Sequence, residues 1–100
     1  MLTVVQTATF AKWLSRQRDR RAVARIASRL LRIETGYLGD IKAVGDGVSE
    51  LRIDYGPGYR IYVTMDRSTL IVLLSGGDKS TQTRDIIEAK RLAREWKDAR

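Results

Sequence analysis

The sequence predicts an α+β fold, and three observations carry that expectation. Apolar residues recur at helical spacing between residues 8 and 34, short apolar–polar segments split by glycine turns follow Gly39, and helical spacing returns after Ser80. Helices followed by consecutive hairpin strands and then a further helix call for a mainly antiparallel sheet of four to five strands.

Residues 2–6, LTVVQ, form a short N-terminal strand. Thr7 caps a helix from Ala8 to about Gln17, in which Phe10, Trp13 and Leu14 share one apolar stripe and read as core. Asp19 caps a second helix, RRAVARIASRLLRIE, with Val23, Ile26, Leu30 and Ile33 on its apolar face and Gly36 as its stop. Its other face carries Arg21, Arg25, Arg29 and Arg32. That ridge reads either as a solvated helix face or as a set of salt-dependent phosphate contacts for RNA, with Lys42 on the same surface.

The segments DIKAV and VSELRID flank GDG, a strong hairpin signal. YGPG makes the next reversal and holds the only proline, Pro57. DRST then leads to LIVLLS, whose unbroken apolar run predicts a strand covered on both faces. GGDKS closes the sheet, and Ser80 caps a last helix bearing Ile86, Ile87, Ala89, Leu92, Ala93 and Trp96.

Within the second hairpin, alternation puts Leu51, Ile53, Tyr59, Ile61, Val63 and Met65 toward the core. Glu50, Arg52, Asp54, Arg60, Tyr62 and Thr64 then form an outer polar face. Pairing Asp54 with Arg60 sets Arg52 beside Tyr62, so that two guanidinium groups and a phenol share one patch. Tyr59 has core parity and reads as packing; Tyr62 is the better aromatic to stack a base or move a proton.

The 100 residues fit one domain, 1–100, and a hydrophobic fraction of 43% supports folding. Nineteen Lys and Arg against twelve Asp and Glu give a formal charge of +7, which attracts phosphates or acidic proteins. The longest apolar run, LIVLL, is far short of the roughly 20 residues that span a bilayer. With no signal-peptide layout at the N-terminus, the expectation is a cytoplasmic protein without membrane contact. Cysteine and histidine are both absent. That removes disulfides, thiolate nucleophiles and imidazole bases, and no metal or cofactor is assigned. GGDKS lacks the glycine spacing of a nucleotide-binding loop.

The blocks RIASRLLRIETGYLGDIKAVGDGVSELRIDYGPGYRIYV and IVLLSGGDKSTQTRDI, with WL in the first helix, resemble the RelE/ParE superfamily of bacterial toxins. More narrowly they resemble its HigB-like addiction module killer branch, over roughly residues 5–95. The resemblance implies a RelE-like fold with a curved sheet under an N-terminal helical hairpin. It also implies a toxin of a type II toxin–antitoxin system that enters the ribosome and cuts messenger RNA without a metal. Its partner would be an antitoxin with a helix-turn-helix domain, assembled with it as a hetero-oligomer.

By the same resemblance, Arg60 of GYR holds the scissile phosphate, Arg52 matches a basic residue of the preceding strand, and Lys79 falls near a late cation on that phosphate. The late tyrosine or histidine of several ribonuclease members has no counterpart, and Glu50 stands where one member has lysine. The plainer readings make Arg60 and Arg52 exposed strand residues paired with Asp54 and Glu50, and Lys79 a loop cation. Two other functions share the fold class: a non-enzymatic ParE-like poison of DNA gyrase, and a basic nucleic-acid-binding module.

Overall fold

The computed structural model describes residues 1–99. In chain order it contains β1 (Thr3–Gln6), α1 (Ala8–Ser15), α2 (Arg20–Glu34), β2 (Ile41–Gly45), β3 (Val48–Ile53), β4 (Tyr59–Asp66), β5 (Leu70–Asp78), a 3₁₀ turn (Lys79–Thr81) and α3 (Gln82–Ala99). This is the α+β order expected. The sheet runs β1-β5-β4-β3-β2, with β1 parallel to β5 and every other pair antiparallel.

Caps fix the two N-terminal helices. Thr7 accepts from the Phe10 amide, and Asp19 accepts from the amides of Arg21 and Ala22. The first helix ends at Ser15, two residues earlier than Gln17, as its last carbonyls are taken by the Arg16 and Gln17 amides. Phe10, Ala22, Ile26 and Ile33 pack on Leu51, Ile53, Tyr59, Ile61, Val63, Ile71 and Leu73, which forms the core on one face. Each of the large members contributes about 1.5–3 kcal/mol by leaving water.

The opposite face is also covered. Val48, Tyr62, Val72 and Leu74 lie under Ala89, Leu92 and Ala93 of α3. The outer polar face expected for the second hairpin is therefore interior: Tyr62, Glu50 and Thr64 are all buried. Alternation told the two faces apart correctly but could not show that a second helix layer closes over the polar one. β5 is buried on both sides, as its apolar run required. Met65, placed on the core parity, is exposed at the far end of β4.

The register of the second hairpin differs by two residues from the one expected. Ile53 pairs with Tyr59, so Asp54 belongs to the turn, Arg52 faces Arg60, and Glu50 faces Tyr62. The turn consumes 54–58 because Tyr55 donates back to Ile53 and Gly58 to Tyr55, with Gly56 and Gly58 both at positive φ. At the first hairpin, Asp46 and Gly47 both take positive φ, which the GDG signal required.

Ser80 does not cap the last helix. Asp78 does so one turn earlier, accepting from both the amide and the hydroxyl of Ser80 and opening the 3₁₀ turn that runs into α3. No helix among the described residues is long and apolar enough to cross a membrane.

Candidate nucleic-acid interface

The second reversal and the end of β5 meet at one end of the sheet, where three of the cations singled out come together. Arg52 and Arg60 are direct cross-strand partners, and Arg60 in turn faces Gly77, two residues before Lys79. Gly58 shows how closely they approach: a Cβ built there would lie 3.4 Å from Arg60 Nη1 and 3.4 Å from Lys79 Cβ. Side chains on directly paired residues lie on the same side of a sheet. The three cations thus surround one corner.

Each cation is held differently. Arg52 donates through Nε and Nη2 to Oδ1 of Asp40, at 3.0 and 2.7 Å. The bond from Arg52 holds the exposed Asp40 carboxyl below its usual range and raises the guanidinium in return. Arg60 is largely covered; its Nη1 donates to the carbonyls of Gly58 and Tyr59, and its Nε lies 3.7 Å from Glu50 Oε1. Lys79 is exposed and has no partner among the described residues. Of the two carboxylates in the plainer pairing, Glu50 meets Arg60 rather than Arg52, while Arg52 takes Asp40 and Asp54 stays in the turn.

Tyr62 does not join them at the surface. Register places Lys42, Glu50, Tyr62 and Ser75 in one row across four strands. Only Lys42, on the edge strand, reaches solvent. Burial, reinforced by Glu50 and Asp85, raises the Tyr62 hydroxyl well above the ordinary phenol range. A phenol so placed neither stacks an incoming base nor takes a proton at neutral pH. In this row Glu50 Oε1, Tyr62 OH and Ser75 Oγ, and beside it Arg60 Nε, have no hydrogen-bond partners among the described residues, and Gln82 anchors Glu50 from α3 at 2.7 Å.

The arginine ridge of α2 forms a second basic surface on the other side of the sheet. Arg25, Arg29, Arg32 and Arg52 line a cleft of about 310 Å³ together with Ile53 and Asp54. Arg52 stands where the two basic surfaces meet. Arg25 lies over the Tyr55 ring and Arg32 over the Tyr37 ring, each 4.6 Å from the centroid, which keeps both cations presented along the helix. Arg21 is exposed at the start of the ridge.

Arg29 departs from the solvated-ridge reading. Its guanidinium donates to the carbonyls of Leu38, Asp40 and Arg52, tying α2 to the loop before β2 and to β3. Desolvation lowers its pKa. Lys42, expected on the ridge surface, instead shares the α3 side with Glu50.

Asp40 and Gln82 escaped the sequence reading. The signal for Asp40 was partly there, because the GDG turn fixes the β2–β3 pairing. A bulge between Ala43 and Gly45 then shifts the register by one and brings Asp40 level with Arg52.

No protein-family model matches the chain. It is 50% identical over 94 residues to a protein of Haemophilus influenzae (strain Rd) described as uncharacterized, covering 94% of this chain and 95% of that one. The chain belongs to one family with that protein.

Proposed function

We propose, for the family shared with the Haemophilus protein, a type II toxin that cleaves messenger RNA in the ribosome. The observation that carries this reading is the convergence of Arg52, Arg60 and Lys79 at one corner of the sheet, in a chain with seven excess positive charges. In the reaction, a ribose 2′-oxygen forms a bond to the adjacent phosphorus while the bond to the 5′-oxygen breaks. The 2′-proton is lost and the leaving oxygen gains one, which yields a 2′,3′-cyclic phosphate. Arg60 grips the phosphorane through its fixed fork of donors, and Lys79 and Arg52 add charge beside it.

Tyr62 has no direct part, because α3 seals it. The ridge residues Arg21, Arg25 and Arg32, with Lys42 on the other face, supply sequence-independent backbone contacts. An antitoxin with a helix-turn-helix domain would cover this surface in the cytoplasm as a hetero-oligomer. The sealing of Tyr62, which leaves the arginines without their phenol, favours a second reading, a ParE-like poison of DNA gyrase.

The test is induction in a strain lacking the antitoxin, followed by mapping of transcript 5′ ends. Codon-phased cuts that Lys79→Glu and Arg60→Lys suppress are the expected result; losing one such electrostatic contact typically costs about 3 kcal/mol in the transition state, over a hundredfold in rate. Intact transcripts with cleaved or relaxed chromosomal DNA would replace the ribonuclease by the gyrase poison.

A further inference from the structure

β1 ends opposite Leu73, whereas β5 continues to Asp78, so the last part of β5 has a strand neighbour on one side only. Where a sixth strand would lie, α1 and α3 instead leave a cleft of about 420 Å³. That is within the range of about 300–1,000 Å³ typical of small-molecule sites. Its walls are chemically sorted. Lys12 on α1 and Arg16 at its C-cap are exposed, and their side chains have no partner among the described residues. On the facing wall of α3 lie Asp85, whose Oδ2 accepts from the Thr81 hydroxyl and whose remaining lone pairs are open, and Glu88, which is paired with Arg91; the Trp13 indole, seated on Gly76, supplies the aromatic surface. Ser75 also lines the cleft, is only 4% exposed, and has a hydroxyl with no hydrogen-bond partner.

We infer that this cleft binds one nucleotide, with its phosphate on Lys12 and Arg16, its base against Trp13, and an exocyclic amine donating toward Asp85 with Ser75 beneath. Two free cations ask for an anion, the indole for a flat ring, and the carboxyl for a donor on that ring. A nucleotide of adenine, cytosine or guanine meets all three demands, whereas uracil offers no exocyclic amine. The cleft also adjoins the arginine corner: Tyr62, Ile61 and Arg60 pair in order with Ser75, Gly76 and Gly77. That the nucleotide comes from the message, next to the phosphate held by Arg60, rests on the ribonuclease reading. The binding itself does not.

The experiment follows the two indole N–H resonances of the intact protein. Trp96 Nε1 donates to Asp66 at 3.0 Å on the α3 side and serves as the internal control. Titration with AMP or CMP should shift the Trp13 signal and saturate while Trp96 stays still. UMP should bind on the order of tenfold more weakly, the discrimination of one amine hydrogen bond. Lys12→Glu with Arg16→Glu, both at exposed positions, should abolish the shift for AMP without altering the melting temperature. An RNA trinucleotide that shifts Trp13 more tightly than the mononucleotides supports the message as the source; equal affinity supports a free nucleotide. A Trp13 signal that no nucleotide moves, that moves only together with Trp96, or that responds equally in the double variant overturns the inference, whether or not transcripts are cut in cells. Saturation without transcript cleavage removes the ribonuclease and keeps the nucleotide site.

Discussion

Glu50 Oε1 lies 3.7 Å from Arg60 Nε with both side chains almost entirely withdrawn from water, at 1% and 13% exposure. Neither atom has a hydrogen-bond partner. A pair of this kind contributes little against apolar replacements, yet losing one member strands the other. Glu50→Ala should therefore destabilise the protein by about 3 kcal/mol, measured by chemical denaturation. The double variant Glu50→Ala/Arg60→Ala should cost clearly less than the sum of the singles; strict additivity would show that the two groups do not interact.

Arg29 and Arg21 sit on one helix face yet should behave in opposite ways. Arg29→Lys keeps the charge but cannot reach the carbonyls of Leu38, Asp40 and Arg52 together. It should lower stability by about 2 kcal/mol and speed amide exchange in the loop before β2. Arg21→Glu should leave the unfolding midpoint unchanged while reducing the salt dependence of the RNA binding we propose. Equal effects of the two on binding alone would return Arg29 to the solvated ridge.

The Asp40–Arg52 contact gives a pH dependence with a defined sign. The folded carboxyl lies below its ordinary value of 3.8, because Arg52 stabilises the ionised form. The unfolded state consequently binds more protons as pH falls. The contact's contribution is complete above 3.8 and is lost as pH falls through the depressed folded value. Thermal melts should show Asp40→Asn and wild type converging at acid pH and diverging above it. The same variant frees the Arg52 guanidinium and should tighten RNA binding at neutral pH. Parallel melting curves throughout would mean that the contact contributes nothing.

Much of this architecture was readable from the chain, for reasons that individual residues make plain. Thr7 and Asp19 announce their helices, because a short polar side chain before a 3.6-residue apolar stripe has a donor to satisfy. Asp46–Gly47 fixes the first hairpin by its demand for positive φ. Alternation set Arg52 and Arg60 on one face, the resemblance added Lys79, and the fold brings the three to one corner. What stayed hidden depends on distant packing. Nothing local to Tyr62 signals that α3 lies over it, and nothing local to Arg29 signals three waiting carbonyls. Gly76 and Gly77 follow the apolar run LIVLLS and read as part of the segment that closes the sheet.

Those glycines lie inside β5, and neither takes a positive φ. They are small because something occupies the place of a side chain. A Cβ on Gly76 would sit 2.3 Å from the Trp13 ring, and one on Gly77 would sit 1.9 Å from Asp85 Oδ2. The indole is rigid and wedged beside Phe10 and Tyr59, whereas the Asp85 carboxyl is the end of a short chain that can turn aside. Gly76→Ala should cost about 2–3 kcal/mol by overpacking and Gly77→Ala noticeably less. The reverse order would mean that the carboxyl is the fixed partner.

Tyr62 gives the sharpest separation between a reading from alternation and one from packing. As an exposed phenol beside two arginines it would stack a base or carry a proton, and its loss would silence the protein. As a buried phenol under α3, with an unpartnered hydroxyl and a raised pKa, it contributes its ring alone. Removing an unsatisfied buried hydroxyl while keeping the ring is neutral or stabilising. Tyr62→Phe should thus match or exceed wild type in stability, within about 1 kcal/mol, and, under the toxin function we propose, match wild type in its effect on growth after induction. Alkaline titration of the wild type should show one tyrosine resisting ionisation until the protein unfolds, and Tyr62→Phe should remove that step. A toxic wild type beside a folded but non-toxic Tyr62→Phe variant would return the phenol to the proposed mechanism and require α3 to lift from the sheet during the reaction.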